Sequence, residues 1–218
     1  RSLEQAPAFR FHLAVGDSLL HGAGQRTLHD DVDLLGFTYA TEELEVLQTI
    51  LTSARYDAVV GNPPYIQPPD EQARNNYRRL YNICKGKYSL VAPFFDRFFQ
   101  LCREDGRVGL IVGNAFMTRV FGQPVVDFLR HKQVDLVLDT KNLNIAGHGT
   151  PTVIIAARNM PAKGAVKTVV SLDAAPGPAS AFAPAWRGLV AAALGLDLEH
   201  RPELALELLV GDGTPLEP

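Results

Sequence analysis

Between residue 11 and about residue 159 the sequence alternates short apolar runs with segments of helical periodicity. No other feature constrains the fold as much. The runs are 11–15 (FHLAV), 56–60 (YDAVV), 108–112 (VGLIV), 134–138 (VDLVL) and 152–156 (TVIIA). Each has the length of a strand, and VGLIV, with no polar residue, reads as a strand buried on both faces. Between the runs lie helical signals. Thr41 can cap a helix whose first turn holds Glu42 and Glu43, and Leu44, Leu47, Ile50 and Leu51 follow at helical spacing. Residues 88–102 are amphipathic, with Val91, Phe94, Phe95, Phe98 and Leu101 on one face, Pro93 near the first turn and Gly106 where the helix is expected to stop. Residues 123–130 give a short helix with Pro124 near its start. Strands alternating with helices predict an α/β fold with a mostly parallel sheet flanked by helices.

Beyond residue 160 the pattern changes. Ala, Pro and Gly become dense (AAPGPASAFAPAW), with one possible strand at 166–170 and one helical stretch at 186–196. The expected organisation is a folded unit over 1–160 and a linker with the start of another module over 161–218. The 218 residues carry 46% hydrophobic and 21% charged side chains, which suits a globular chain and excludes collagen-like and coiled-coil readings. The longest apolar stretch, 188–196, is about half of the roughly 20 residues a membrane helix needs, so no membrane partner is expected. Two cysteines, Cys84 and Cys102, are too few for a disulfide framework, and a reducing cytoplasmic setting is expected. The histidines His12, His21 and His29 lack ligand spacing with either cysteine, so no metal is expected. The net charge of −3 speaks against a nucleic-acid partner for the chain taken as a whole. The start at Arg1, without a signal-peptide pattern, reads as a cut inside a longer protein.

The tetrapeptide Asn62-Pro63-Pro64-Tyr65 directly follows the second apolar run. In an open α/β sheet, ligands bind beyond the carboxyl ends of the strands. Two prolines after an asparagine make a rigid turn in any protein, but here they also suit a chemistry. An amine on an aromatic ring is a poor nucleophile, because its lone pair is delocalised into the ring. Two acceptors that bond both amino hydrogens localise that lone pair. The Asn62 side-chain oxygen and the Pro63 carbonyl supply such a pair, and proline rings fix φ so that the carbonyl is rigidly aimed. Tyr65 offers a face for stacking a base, worth roughly 1–3 kcal/mol. A base inside a duplex must be flipped out to reach such a site.

GNPPYI resembles the catalytic motif of amino-group methyltransferases that use S-adenosylmethionine. VGDSLLHG at 15–22, YDAVVGNPPYI at 56–66, KYSLVAPFFDRFFQLC at 87–102, GRVGLIVGNAFM at 106–117 and GHGTPTVIIAARN at 147–159 stand in the same order as in adenine-specific DNA methyltransferases. The similarity is greatest to the large enzymes of BREX and phage-growth-limitation defence systems, and it covers residues from about 8 to 160. The resemblance implies a Rossmann-like class I S-adenosylmethionine-dependent fold and transfer of a methyl group to the N6 amine of a flipped adenine in double-stranded DNA. It also implies other phage-defence proteins, or a restriction-modification system, as the setting. It implies that Asn62 and the Pro63 carbonyl accept from the amine, that Pro64 stiffens the loop and that Tyr65 stacks on the base. Asp17, with Ser18 beside it, would accept from the cofactor adenine, and Asn62 and Tyr88 would border the cofactor. Taken alone, Asp17 also suits a strand-end turn and Tyr88 a helix start packed on the core.

Relatives often bring a second aromatic from the loop before the last strand, where this chain has Ile145 and His148, the latter equally suited to a plain loop position. Arg74, Arg78, Arg79, Lys85, Lys87 and Arg119 can meet phosphates or form a solvated basic face. The glycine-rich cofactor loop of the family and the next strand with its ribose-binding acid are not found in residues 1–61. The fold is therefore expected to lack its first two strands, to leave the 56–60 strand at an edge, and to be inactive alone. Two rivals stay open: methylation of a protein glutamine or an RNA base, and a non-catalytic scaffold module of a defence complex.

Overall fold

The computed structural model describes residues 11–21, 43–140 and 150–170, together with Gly195 and the backbone of 209–210 and 214–215. The 22–42 loop, Thr41, the 186–196 helix and most of the Ala/Pro-rich tail lie outside the described residues. In chain order the elements are α1 (Leu44–Ile50), β1 (Tyr56–Gly61), α2 (Glu71–Leu80), α3 (Val91–Leu101) and β2 (Cys102–Gly113). There follow α4 (Ala115–Thr118), a 3-10 turn (Val120–Gly122), α5 (Gln123–Arg130), β3 (Lys132–Asp139), β4 (Thr152–Pro161) and β5 (Lys167–Val170). A short antiparallel pair, β6 (Leu209–Val210) and β7 (Thr214–Pro215), stands apart from the main sheet.

The main sheet has the order β1-β2-β4-β3-β5. β1 is parallel to β2 and β3 to β5, while β4 runs antiparallel to both β2 and β3. Four strands thus share one direction, and the α/β expectation holds with one reversed strand inserted. β1 lies at the edge of the sheet among the described residues, with Val60 76% exposed. The sheet also runs past residue 160, since β4 ends at Pro161 and β5, the strand foreseen at 166–170, pairs with β3.

Several expectations need correction. The 11–15 run joins no sheet, and Phe11 and Leu13 are 76% and 83% exposed. Val15 instead exchanges bonds with Glu43 at the start of α1: its N–H donates to the Glu43 carboxylate, and its carbonyl accepts from the Glu43 N–H, both at 3.0 Å. A strand is made by its ladder, and apolar composition alone does not supply one. In β2, Val108, Leu110 and Val112 are buried while Gly109 and Ile111 are only half-buried, so one face is covered well and the other partly. The α3 helix ends at Leu101, because Cys102 is already extended. Gly106 serves the bulge that follows. Asp105 takes a φ of 58°, and a Cβ on Gly106 would lie 2.5 Å from the Cys102 sulfur.

The covered face of the sheet packs against α3 and α5. The i, i+4 row Val91, Phe95, Phe99 of α3 meets Val108, Leu110 and Val112, with Phe95 edge-on to Phe116 and Phe99 edge-on to Phe128. Phe94 and Phe98, expected on the buried face, are half-buried instead, and the Phe98 ring rests on Gly61, where a Cβ would approach it to 2.8 Å. A smaller cluster of Leu47, Leu51 and Leu101 seats α1. The polar 67–80 segment becomes α2, capped by Asp70, whose carboxylate accepts from the Ala73 N–H at 2.7 Å, with Arg78 and Arg79 at the favourable C-terminal end.

Candidate active site

Asn62 to Tyr65 leave β1 at its carboxyl end, and the two prolines, lacking N–H groups, end the ladder there. Asn62 and Pro64 are exposed, Pro63 is buried and Tyr65 is half-buried. The loop is fixed at its far end by the Leu90 N–H, at the start of α3, which donates to the Ile66 carbonyl at 2.8 Å. The Tyr65 hydroxyl donates to Asn62 Oδ1 at 2.6 Å and lies 3.2 Å from the Ile111 carbonyl of β2. Burial raises the Tyr65 phenol above its ordinary value, so it stays a donor. Its ring lies over Gly113, where a Cβ would stand 3.7 Å from it. The Thr150 methyl, leading into β4, would stand 3.8 Å from the same Cβ, so the chain entering β4 arrives beside Tyr65. Ile145 and His148, on that loop, lie outside the described residues.

Asp17 heads a short turn. Its Oδ1 accepts from the N–H groups of Leu19 and Leu20 at 2.8 and 3.2 Å, and its Oδ2 accepts from the Tyr77 hydroxyl of α2 at 2.8 Å. Burial first, and then the Asp17 charge, push the Tyr77 phenol far above its ordinary value, so it too remains a donor. The carboxylate is therefore held in one orientation, with half-buried Ser18 beside it. Tyr88 sits inside the core at 2% exposure, and its hydroxyl donates to the Arg74 carbonyl at 2.6 Å. It braces α2 against the start of α3.

The basic set divides. Arg74 bonds Glu71 at 3.1 Å and Gln67 at 3.3 Å, while Arg78 bonds the Gly86 carbonyl at 2.8 Å and lies over the Tyr88 ring. Both are engaged within the chain. Arg79, Lys85, Lys87 and Arg119 are exposed. Lys85 and Lys87 line a cleft of about 830 Å³ with Asp96, Phe121, Phe128 and His131, and none of residues 62–65 lines it. Among the described residues no three of His, Cys, Asp and Glu are grouped to hold a metal ion, and no helix is long and apolar enough to cross a membrane.

Sequence reasoning missed Gly113, on which Tyr65 rests, and the three donors Tyr77, Tyr81 and Arg97 that grip the Asp17 turn. The glycine within VGNAFM was a readable signal. The donors were not, because a polar atom on a helix reads as surface.

The chain matches the Eco57I restriction-modification methylase family over residues 23–145. It is 41% identical over 197 residues to the adenine-specific methyltransferase PglX of Streptomyces coelicolor, a match that covers 81% of this chain and 16% of that protein. It is 29% identical over 77 residues to the type II methyltransferase M.BstVI of Geobacillus stearothermophilus, covering 34% of this chain and 14% of that one. Among solved structures, the methyltransferase subunit of a type I restriction-modification system from Streptococcus thermophilus matches with a TM-score of 0.46 at 13% identity, over 76% of this chain and 38% of that one. The chain thus spans 16% and 14% of the lengths of these two curated relatives. With its family match covering more than half of its length, this chain belongs to the Eco57I restriction-modification methylase family.

Proposed function

We propose that this chain carries the catalytic loop of an S-adenosylmethionine-dependent methyltransferase that methylates the N6 amine of adenine in double-stranded DNA, within a phage-defence or restriction-modification system. The observation that carries the reading is the Asn62 loop. An exposed amide oxygen stands at the carboxyl end of β1, oriented by the Tyr65 hydroxyl and followed by a rigid proline pair. The name of the Streptomyces coelicolor relative, an adenine-specific methyltransferase, supports the same reading.

Asn62 Oδ1 keeps acceptor capacity beyond the Tyr65 bond, since a carbonyl oxygen has two lone pairs. It and the Pro63 carbonyl accept the two amino hydrogens of a flipped adenine and draw its lone pair out of the ring. Pro64 keeps the loop from relaxing, and Tyr65 gives the base a face to stack on. S-adenosylmethionine supplies the methyl group when bound. Of this chain's residues, Asp17 and Ser18 fit its adenine end, because the carboxylate is a fixed acceptor, and Asn62 stands at the transfer end. The chain alone is expected to bind it weakly, since residues 1–61 hold no glycine-rich cofactor loop. Exposed Lys85, Lys87 and Arg119 are proposed to meet phosphates, and Arg74 and Arg78 to act chiefly within the fold.

The test is transfer of a tritiated methyl group by the full-length gene product carrying this sequence, with duplex DNA, RNA and protein offered in parallel. Label on DNA adenine supports the reading. Label on RNA or protein alone favours the amide or RNA rival, and none on any substrate favours the scaffold rival.

A further inference from the structure

We propose that Arg97 is a positioning residue that holds the 17–21 turn, and with it the Asp17 carboxylate, in register with the Asn62 loop. This rests on the reading that Asp17 receives the cofactor adenine.

Arg97 is 1% exposed in the middle of α3. Its Nη2 donates to the Leu19 carbonyl at 3.2 Å and the His21 carbonyl at 2.8 Å, and its guanidinium lies over the Tyr81 ring at 5.6 Å from the centroid. The Tyr81 hydroxyl donates to the same Leu19 carbonyl at 2.7 Å, while Tyr77 grips Asp17 itself. Leu19 is buried beneath these donors. No carboxylate pairs with Arg97 at salt-bridge distance among the described residues, and its Nε has no hydrogen-bond partner. A buried cation so placed is a poor way to add stability, because an apolar side chain of similar volume often does as well. What it supplies is a fixed direction: one guanidinium nitrogen, Nη2, aimed at two carbonyls of one turn, while Nη1 reaches Gln100 Oε1 of the same helix at 3.4 Å.

The same helix also fixes the catalytic loop. Leu90, at the α3 N-cap, bonds the carbonyl of Ile66, the residue after Tyr65. α2, which begins just beyond that loop, contributes Tyr77 and ends at Leu80, with Tyr81 as its C-cap. The two helices therefore set the distance between the Asp17 turn and the Asn62 loop, and Arg97 is the contact through which α3 does so.

The test compares Arg97→Met, Tyr81→Phe and Asp17→Asn in the full-length gene product, with steady-state kinetics and thermal melts. Arg97→Met is expected to raise the cofactor KM about tenfold or more, as loss of charged hydrogen bonds would, with kcat at saturating cofactor within about twofold. A fall in kcat with the cofactor KM unchanged, the mark of a merely structural residue, overturns the proposal. If Arg97→Met does not fold, Tyr81→Phe decides. It removes one donor to the turn and keeps the ring, and it is expected to raise the cofactor KM about threefold or more; an unchanged KM overturns the proposal. Asp17→Asn separates the two ideas. If it leaves the cofactor KM unchanged, the reading of Asp17 fails; if it raises KM while Arg97→Met does not, the positioning claim alone fails.

Discussion

Tyr65→Phe isolates one atom of the candidate active site. The ring that stacks is kept, and the hydroxyl that donates to Asn62 Oδ1 at 2.6 Å is removed. The Ile111 carbonyl lies farther away, at 3.2 Å, and one O–H has one proton to give, so the bond to Asn62 is the one lost. A neutral hydrogen bond contributes about 0.5–1.5 kcal/mol net, and Asn62 is exposed, so its oxygen regains a water and the lower part of that range applies. A loss of about 0.5–1 kcal/mol is a factor of roughly two to five in rate. The bond orients the acceptor, which matters as the amine becomes nucleophilic, so the loss falls on kcat, and the KM for DNA stays within about twofold. Tyr65→Ala also removes the stacking face, which adds about 1–3 kcal/mol and raises the KM for DNA. Methyl transfer by the full-length gene product, measured at saturating cofactor over a DNA titration, separates these terms. If Tyr65→Phe matches the parent in kcat, or raises the KM for DNA as far as Tyr65→Ala does, the assigned role of the hydroxyl is wrong. Because burial raises the Tyr65 phenol above its ordinary value of about 10, its donor form is kept across the neutral range, and the ratio of parent to Tyr65→Phe kcat should stay flat from about pH 7 to 9.

Two further predictions concern the scaffold. Desolvation opposes ionisation of Asp135, but hydrogen bonds from Arg158 and Gln133 and the Arg158 and Arg107 charges hold its carboxyl below the ordinary value. A depressed folded-state pKa stabilises above the unfolded value of about 3.9 and is lost as pH falls through the folded one. The Tm gap between the parent chain and Asp135→Asn should therefore be open at neutral pH and close below about pH 4; a gap that widens in acid contradicts the assignment. Burial pushes the Cys84 thiol up to about 12, with the Asp96 charge adding to the shift, and burial raises Cys102 as well. Both thiols should resist a disulfide-exchange reagent in the native chain and react once it is unfolded, and rapid labelling of the native chain would contradict their burial.

The sequence was readable where a property is local. YDAVV announces β1, and the Asn62 motif states its own chemistry in four residues. Strand direction is not local. VDLVL and TVIIA look alike as sequences, yet β4 is reversed between β2 and β3, because direction depends on the connections rather than on apolar content. The pairs Phe94-Phe95 and Phe98-Phe99 present two nearly equal faces to any periodicity count. The sheet took Phe95 and Phe99, leaving Phe98 to rest on Gly61. The 11–15 run shows the converse, an apolar run outside the sheet. Arg97 was invisible for a physical reason: a helical arginine reads as solvated, and only the approach of the 17–21 turn reveals that it is enclosed.

The central claim, that Asn62 activates an adenine amine, is tested most directly by nucleoside mass spectrometry of DNA from cells that express the full-length gene product or its Asn62→Ala variant. The account predicts N6-methyladenine with the parent protein and its loss with Asn62→Ala at equal protein level. N6-methyladenine that persists in Asn62→Ala, or that is absent with both, would contradict it.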